Sequence, residues 1–363
     1  MAVYTTINDP SAHFQTAIYT GTGSNQSITN DGNTSLQPDL VWVKDRGASN
    51  DHKITDSNRL ASGKPTITLE ANTDLAEYDD ASPAATTSFD VNGFTIGTNG
   101  NYNTNTNTYV AWQWKANGGT TSTNTAGTNI DTTIQTNSTA GFSIITYTGT
   151  GNANDSLGHG LGADVHFCAI KARERGTGGQ WAVYHKDMHS SPQDYYLRFD
   201  IANLPTDSAA TWNDVDPTST VINLGTGNRV NTSSDNTYVG YIWTGIQGFS
   251  KFGSYLGNGN ADGPMIYTGF KPALVITKSV TSSGDDWCMQ DYKRDPVNDV
   301  DDRIMVNDNG AASTTDQWMD WCSNGFKPRV GDGKHNGSGI EYVYMAWAQN
   351  PFVTSTGIPC TAR

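Results

Sequence analysis

The chain of 363 residues is long enough for two or three domains. Its formal net charge of −14 argues against binding to nucleic-acid backbones and to anionic membrane surfaces, and permits neutral or cationic partners. Only 16% of the residues are charged, whereas Gly, Asn, Ser and Thr are common and aromatic residues make up 10%. This composition favours short strands joined by turns, with aromatic side chains filling the cores.

The chain begins with a mostly polar stretch, residues 1–13, in which Asn8-Asp9-Pro10-Ser11 predicts a turn. This stretch lacks the basic region and apolar core of a secretory signal. No apolar run approaches the ~18 residues that a membrane-spanning helix needs, so we expect no membrane insertion. We expect residues 1–13 to form an arm, either a strand on the first domain or a peptide that docks the protein to a partner.

A Tyr-x-Gly-x-Gly motif then occurs three times, at residues 19–23, 147–151 and 255–259. Its repeat-defining residues are Tyr19, Gly21, Gly23, Tyr147, Gly149, Gly151, Tyr255, Gly257 and Gly259. We expect these glycines to supply positive φ angles in a turn. The motif resembles a phosphate loop in composition only, because no helix is predicted after it.

Three further landmarks keep the same spacing as the motif. They are a preceding Phe (Phe14, Phe142, Phe249), a Lys that ends an apolar strand (Lys44, Lys171, Lys278) and a Tyr that begins an aromatic closing strand (Tyr109, Tyr238, Tyr344). Measured on the motif, the Lys and the closing Tyr, the first interval is 128, 127 and 129 residues, and the second is 108, 107 and 106. A period above 100 residues has the size of a domain and not of a solenoid repeat, which predicts three copies of one domain.

The first copy covers residues 14–116 and contains a predicted hairpin at 89–97, with Asn92-Gly93 at its turn. Residues 117–140 consist largely of Gly, Thr, Ser and Asn, which is typical of a linker or of a pair of exposed strands. This insertion accounts for the longer first interval.

The second copy covers residues 141–247, and the third, residues 248–352, follows it at once, so we expect these two to pack together. A tail, residues 353–363, is mostly polar. No stretch keeps a helical period, and turn signals recur every 8–12 residues. We therefore predict an all-β protein of three tandem β-sandwich domains, of the jelly-roll or concanavalin-like kind.

Candidate metal ligands are few. His185 and His189 are four residues apart, but they lie in a strand-and-loop region and lack the intervening Glu of a zinc helix. The acidic run at 295–302 could present oxygen atoms to Ca²⁺, although it lacks the Gly and the distal Glu of an EF-hand loop, and a solvated loop explains it as well. A Cys288–Cys322 disulfide is open from the sequence. We expect no metal and no cofactor.

Candidate catalytic residues do not form a repeated pattern. Glycosidase chemistry needs two carboxylates about 5–10 Å apart in one cleft. The glutamates do not recur at matching places, whereas Asp56, Asp187 and Asp291 follow the Lys-ended strands at similar distances. One acid per copy is more simply a turn-capping side chain. We expect a protein that is not an enzyme.

Several stretches together resemble a group of bacteriophage virion proteins, mostly marine and tail-fibre-like or structural. They are residues 4–15, 36–44, 109–115, 248–255, 267–272 and 344–352. Residues 52–59 also keep the His-x-x-x-Asp-Ser-x-Arg pattern of that group, and Leu60 stands where the pattern has Gly. The resemblance covers nearly the whole chain and implies a structural role, with no catalytic residues to carry over.

The resemblance implies a phage structural protein on the outside of the virion, most simply a tail-fibre or adhesin-like protein whose loops contact the host surface. The expected partners are other virion proteins, a host-surface glycan and further copies of the chain, with a trimer as one such assembly. The alternatives are a capsid decoration protein, a glycan-cleaving enzyme and a secreted lectin-like module. The binding residues are not predicted.

Overall fold

The computed structural model describes residues 4–81, 84–174, 178–232 and 236–360. Within these residues the protein is built of short strands and a few single helical turns, which confirms the prediction of an all-β protein. Residues 1–3 of the predicted arm and 361–363 of the predicted tail lie outside the described residues. In the described part of the chain, no helix is long and apolar enough to cross a membrane.

The strands fall into three chain segments: the first segment is residues 14–116, the second 141–247 and the third 248–352. The first contains β1 (Phe14–Thr20), β2 (Gln26–Thr29), β3 (Leu40–Asp45), β4 (Lys53–Asp56), β5 (Ile67–Glu70), β6 (Tyr78–Asp79), β7 (Thr86–Asp90), β8 (Gly93–Ile96) and β9 (Thr108–Trp114). Residues 117–140 contain β10 (Ser122–Asn124), β11 (Asn129–Ile130) and β12 (Thr132–Asn137).

The second segment contains β13 (Phe142–Thr148), β14 (Asp155–Gly158), β15 (Phe167–Ala172), β16 (Ala182–His185), β17 (Tyr195–Tyr196), β18 (Thr206–Asp207), β19 (Val221–Leu224) and β20 (Thr237–Trp243). The third contains β21 (Ser250–Leu256), β22 (Ile266–Tyr267), β23 (Phe270–Ser279), β24 (Cys288–Asp291), β25 (Ile304–Met305), β26 (Met319–Cys322), β27 (Gly325–Pro328) and β28 (Glu341–Pro351). The helical turns are α1 (Gly100–Asn103), α2 (Ala209–Trp212) and two 3-10 turns (Pro10–Ala12, Pro192–Asp194).

Three large sheets share one strand order. It is β1-β9-β3-β4 in the first segment, β13-β20-β15-β16 in the second and β21-β28-β23-β24 in the third. A small sheet accompanies each of them: β2-β8-β7, β11-β14-β19 and β22-β27-β26. The strand order of the large sheet therefore occurs three times along the chain, whereas the second small sheet takes one strand, β11, from the insertion at residues 117–140.

Each large sheet is buried on both faces, as β9 illustrates. Tyr109 and Ala111 pack with Phe94 of the small sheet, whereas Trp112 and Trp114 belong to a different hydrophobic cluster. Because successive side chains of a strand point to opposite faces, one face of the large sheet covers the small sheet and the other covers the rest of the molecule. Burial on both faces explains why the strands of the large sheets are continuous apolar runs.

The inner faces of the three large sheets meet at three tryptophans, Trp114, Trp243 and Trp347. The distances between their ring centroids are 6.0, 5.3 and 5.9 Å, and each pair is edge-to-face. Edge-to-face pairs are favourable by about 0.5–1.5 kcal/mol beyond the area that they bury. The three segments therefore share one hydrophobic core, and not only the second and third segments pack together.

Two of the landmarks in the third segment are misaligned in the sequence comparison. Strand register pairs Tyr255 with Tyr342, as it pairs the motif tyrosines of the other segments with Tyr109 and Tyr238, so Tyr342 and not Tyr344 is the equivalent residue. Likewise Ser250, and not Phe249, stands opposite the closing tryptophan. The tyrosine shift is of two residues and keeps the side chain on the same face of the sheet, so the aromatic pattern alone does not fix it. The shift from Phe249 to Ser250 is of one residue and is resolved only by the strand register.

The insertion at residues 117–140 forms β10, β11 and β12. Strand β12 pairs antiparallel with β13 and thereby extends the large sheet of the second segment. Thr132 and Gln135 of this strand are buried. Of the two possibilities that the sequence left open, the structure has strands, and β12 is covered and not exposed.

Candidate functional site

Each Tyr-x-Gly-x-Gly motif lies where the first strand of a segment ends. Its tyrosine stacks on the tyrosine opposite it in the closing strand, with centroid distances of 5.1 Å (Tyr19–Tyr109), 5.0 Å (Tyr147–Tyr238) and 4.9 Å (Tyr255–Tyr342). Its hydroxyl donates to a backbone carbonyl 80–83 residues later, at 2.9 Å (Tyr102), 2.6 Å (Val230) and 2.7 Å (His335). Burial raises the pKa of all three hydroxyls well above 10, so they remain donors.

The two glycines of each motif serve different purposes. Gly23, Gly151 and Gly259 have φ of +69°, +77° and +72°, as we expected. The expectation is wrong for the first glycine of the motif. A Cβ at Gly21, Gly149 or Gly257 would lie 2.2, 2.6 or 2.3 Å from the carbonyl oxygen of a facing loop. Glycine is required there because another backbone approaches closely.

That facing loop carries a buried asparagine, which the sequence comparison missed. Asn103, Asn231 and Asn336 are fully buried, and their side-chain oxygens accept the N–H of the residue between the two glycines at 2.7, 2.8 and 2.9 Å. Each precedes the closing-strand tyrosine by six or seven residues. This spacing is a usable signal, but the surrounding stretches are so rich in Asn and Thr that it does not stand out.

One ring N–H at an equivalent position ties each segment to a neighbour. Trp181 donates to the carbonyl of Glu70 (3.0 Å), and Trp287 donates to the carbonyl of Arg198 (2.7 Å). In the first segment the equivalent residue is His52, whose Nε2 lies 2.9 Å from the carbonyl oxygen of Met305. The second segment is therefore bonded to the first, the third to the second and the first to the third, which closes a cycle.

His52 acts as a neutral donor in this cycle. Its Nδ1 accepts the indole N–H of Trp42 at 2.9 Å, so the proton of the neutral ring is on Nε2. Burial lowers the pKa of His52 to about 3, which keeps the ring uncharged at neutral pH. The residue fills a structural position and is not available as a base.

Two of the three boundaries also contain a fully buried ion pair. Asp56 and Arg59 lie 2.7 Å apart in the first segment, and the hydroxyl of Tyr241 from the second segment donates to Asp56 at 2.7 Å. Asp291 and Arg294 lie 2.5 Å apart in the third segment, where Trp112 of the first segment donates to Asp291 at 3.1 Å. Each carboxylate therefore pairs with an arginine of its own segment and accepts a hydrogen bond from a tyrosine or tryptophan of a neighbouring segment.

The third boundary has a histidine in place of the aspartate. Strand register places His185, and not Asp187, at the position of Asp56 and Asp291. Nε2 of His185 lies 3.1 Å from the carbonyl oxygen of Tyr344 in the third segment. Burial lowers its pKa to about 4. The predicted series Asp56, Asp187 and Asp291 is thus wrong in its second member.

The strand-ending lysines Lys44, Lys171 and Lys278 are buried, and their ammonium groups donate to backbone carbonyls. Lys44 contacts the carbonyls of Asp45 (2.7 Å) and Asn309 (3.1 Å), the latter in the third segment. Burial lowers the pKa of each of the three lysines to about 8. Backbone carbonyls thus accept hydrogen bonds from all three ammonium groups, which suits a structural position.

The other candidate sites have local structural uses. Among residues 4–81, 84–174, 178–232 and 236–360, no cluster of three or more His, Cys, Asp or Glu side chains could hold a metal ion. In the acidic run at 295–302, Asp295 accepts the backbone N–H of Asp301 at 2.7 Å, and Asp302 pairs with Arg46 of the first segment at 2.9 Å. Cys288 and Cys322 are free thiols.

The chain belongs to a family that is described as a domain of unknown function, DUF7483, whose sequence profile matches residues 9–351. No curated protein and no solved structure matches the chain. The family match spans all three segments as one unit.

Proposed function

We propose that this member of the DUF7483 family is a structural protein on the outside of a bacteriophage particle and is not an enzyme. The observation that carries the proposal is the use of the buried polar groups. Asp56, Asp291, His52 and His185 each bind a ring or a carbonyl of a neighbouring segment. Groups that could serve acid–base chemistry are thus occupied in holding the sheets together.

The proposed architecture is three copies of one β-sandwich module arranged cyclically around the shared tryptophan core. The proposed role is presentation, in which this scaffold holds polar turns for contact with a host-surface glycan. Two features support it. The turns at the three motifs are exposed, at residues 22–25, 152–154 and 258–262. A buried asparagine accepts a backbone N–H of each turn and thereby orders it. A turn that is ordered before binding loses little conformational entropy on contact.

Locating the protein on purified particles tests this proposal. Gold-labelled antibody against the chain, read by electron microscopy, is expected to mark the particle exterior at the tail. Particles whose chain carries replaced residues 22–25, 152–154 and 258–262 should adsorb to host cells more slowly. Label within a particle that has been opened, but none on intact particles, would refute an exterior position. Unchanged adsorption would refute the attachment role.

A second candidate, a capsid decoration protein, is favoured by the cyclic order of the segments. A single chain with three similar faces suits the local threefold points of an icosahedral shell. In the same labelling experiment, gold over the head and not the tail would favour decoration. Loss of the protein should then lower the temperature at which heads release their DNA and leave adsorption unchanged.

The proposed homo-oligomer rests on the resemblance to phage proteins. Light scattering on the purified chain, whose mass is 39.1 kDa, separates one copy from three. Release of reducing sugar from host polysaccharide would contradict the non-enzymatic proposal. The catalytic carboxylates would then be exposed ones, because Asp56 and Asp291 are held in buried ion pairs.

A further inference from the structure

The three boundaries between segments contain equivalent grooves that differ in what fills them. Each groove lies between the first strand of one segment (β1, β13 or β21) and the residue that follows β4, β16 or β24 of another segment. Strand register makes Phe14, Phe142 and Ser250 equivalent on the first wall. In the same way it makes Ser57, Lys186 and Tyr292 equivalent on the second wall.

The chain fills one groove with its own strand. Between the first and second segments, β12 pairs with the free edge of β13. The fully buried Gln135 of β12 donates from Nε2 to Ser57 Oγ (2.8 Å) and Asn58 Oδ1 (2.6 Å). Its Oε1 accepts the N–H of Gly119 at 2.8 Å. This groove is therefore built to hold an extended strand with an amide side chain at its centre.

The groove between the third and first segments is open. Its cavity of about 350 Å³ is lined on one side by Phe14, Gln15 and Thr16, and on the other by Tyr292 and Gln349, among others. Two atoms on its walls, Thr16 Oγ1 and Gln349 Oε1, are buried and have no hydrogen-bond partner within the described part of the chain. Both can accept a hydrogen bond from a donor that enters the groove.

Strand β1 presents a free backbone edge to this open groove. Among the described strands its one partner is β9. The C=O of His13 accepts from Lys115 (3.0 Å) and the N–H of Gly21 donates to Asn107 (2.8 Å), so the peptide groups of the odd-numbered residues face β9. Since these groups alternate along an antiparallel pair, the N–H and C=O of Phe14, Thr16 and Ile18 face away from β9. Their counterparts in β13 face β12. Lys293 forms an ion pair with the exposed Asp31 at the mouth of the groove. Because such surface pairs contribute little stability, an entering strand can displace this one.

We propose that the groove between the third and first segments accepts an extended strand from a partner protein, which adds antiparallel to β1 as β12 adds to β13. The partner strand is uncharged and polar, like Thr-Thr-Ile-Gln-Thr-Asn of β12. An amide side chain opposite Thr16 donates to Thr16 Oγ1 and Gln349 Oε1, as Gln135 does to its two acceptors. This inference stands independently of the proposed function.

The groove between the second and third segments differs and serves as an internal comparison. Its cavity of about 380 Å³ includes Tyr4 of the N-terminal arm, which donates to the carbonyl of Gly269 at 2.7 Å. Lys186 and Lys251 also line it. A groove lined by two lysines and no acidic residue suits an uncharged strand less well.

The probe is a fluorescein-labelled synthetic peptide of residues 132–138, titrated with the full chain and followed by fluorescence anisotropy. We expect saturable binding to the wild-type protein. Ile18→Pro removes one outward N–H from an exposed edge position, where proline is tolerated, and should weaken binding about tenfold or more. Ser254→Pro is the matched control, because it lies at the equivalent exposed position of β21 and should leave binding unchanged.

Thr16→Val removes the unpartnered hydroxyl without changing the backbone, and should weaken binding several-fold even if Ile18→Pro fails to fold. Absence of saturable binding by the wild type at about 1 mM peptide would overturn the proposal. So would equal weakening by Ile18→Pro and Ser254→Pro. Concentration-dependent dimerisation of the wild type that Ile18→Pro abolishes would identify a second copy as the occupant and would overturn the assignment to a partner protein.

Discussion

Replacing Tyr241 by phenylalanine tests whether the polar contacts between segments hold the protein together. The hydroxyl of Tyr241 donates to Asp56 at 2.7 Å and accepts from Arg59 at 3.0 Å, and all three side chains are buried. Tyr241→Phe removes one oxygen atom and leaves almost no cavity. Two hydrogen bonds to charged groups are lost, each worth about 1.5–3 kcal/mol net, which makes about 3–6 kcal/mol together. Because Asp56 and Arg59 still pair, the loss should lie near the lower end of this range, at about 3 kcal/mol.

Equilibrium unfolding in urea measures this change as a shift in midpoint at constant slope. The matched control is Tyr184→Phe, because Tyr184 is buried and its hydroxyl forms no hydrogen bond with the residues that the structure describes. We expect the control to change the unfolding free energy by less than about 1 kcal/mol. If Tyr241→Phe costs no more than this control, the polar contacts between segments do not contribute to stability, and the interpretation of the cycle is wrong.

Three further predictions concern the same contacts. Trp287→Phe leaves the carbonyl of Arg198 without its donor, whereas the ring N–H of the buried Trp318 has no partner among the residues that the structure describes, so Trp287→Phe should lower the unfolding free energy by about 1–3 kcal/mol more than Trp318→Phe. The pKa of Lys44 is about 8 in the folded protein and 10.5 when exposed, so the unfolded chain binds more protons between these values. The wild type should therefore gain stability relative to Lys44→Met as the pH rises from 8 to 10, by an amount on the order of 3 kcal/mol in full, measured by urea unfolding at each pH. An isolated segment of residues 14–116 exposes the inner face of its large sheet and should lack the sharp thermal transition that the whole chain gives in calorimetry; a cooperative, monomeric fragment would contradict the shared core.

Much of the fold could be predicted from the sequence, because it depends on local patterns. The hairpin predicted at residues 89–97 forms, but its two-residue turn is Val91-Asn92 and not the predicted Asn92-Gly93, because Gly93 already pairs with Asp90. The equivalent hairpin in the third segment pairs Cys322 with Gly325. Turn chemistry and alternation act over a few residues, so a single chain suffices to recognise them.

The contacts between segments could not be predicted in the same way. The apolar runs of the large sheets indicate burial on both faces, but they do not say which sheet covers which face. The spacing Asp-x-x-Arg at Asp56–Arg59 and again at Asp291–Arg294 was available as a signal. The second segment has His185 at this position, whereas the approximate distance from the strand-ending Lys predicts Asp187. Only the strand register resolves this difference.

The three boundaries are alike in topology and different in chemistry, and this bears on how one chain orders its own segments. Tyr241 donates to Asp56, and Trp112 donates to Asp291, whereas the polar partner of His185 across its boundary is a backbone carbonyl. A segment docked at the wrong boundary would leave a buried carboxylate without its ring donor. We infer that the aromatic core supplies stability, and that the polar pairs select the correct order.

Exchanging the two rings tests this inference. A chain with both Tyr241→Trp and Trp112→Tyr keeps the composition of the core but gives each carboxylate the wrong ring. The hydroxyl of tyrosine and the indole N–H of tryptophan lie at different distances from the backbone, so neither new ring restores the hydrogen bonds of the residue that it replaces. If the pairs select the order, the exchanged chain should refold to monomer in lower yield than the Tyr241→Phe chain, with the remainder as aggregates that size-exclusion chromatography separates. Equal yields would mean that the connections between consecutive segments alone determine their order.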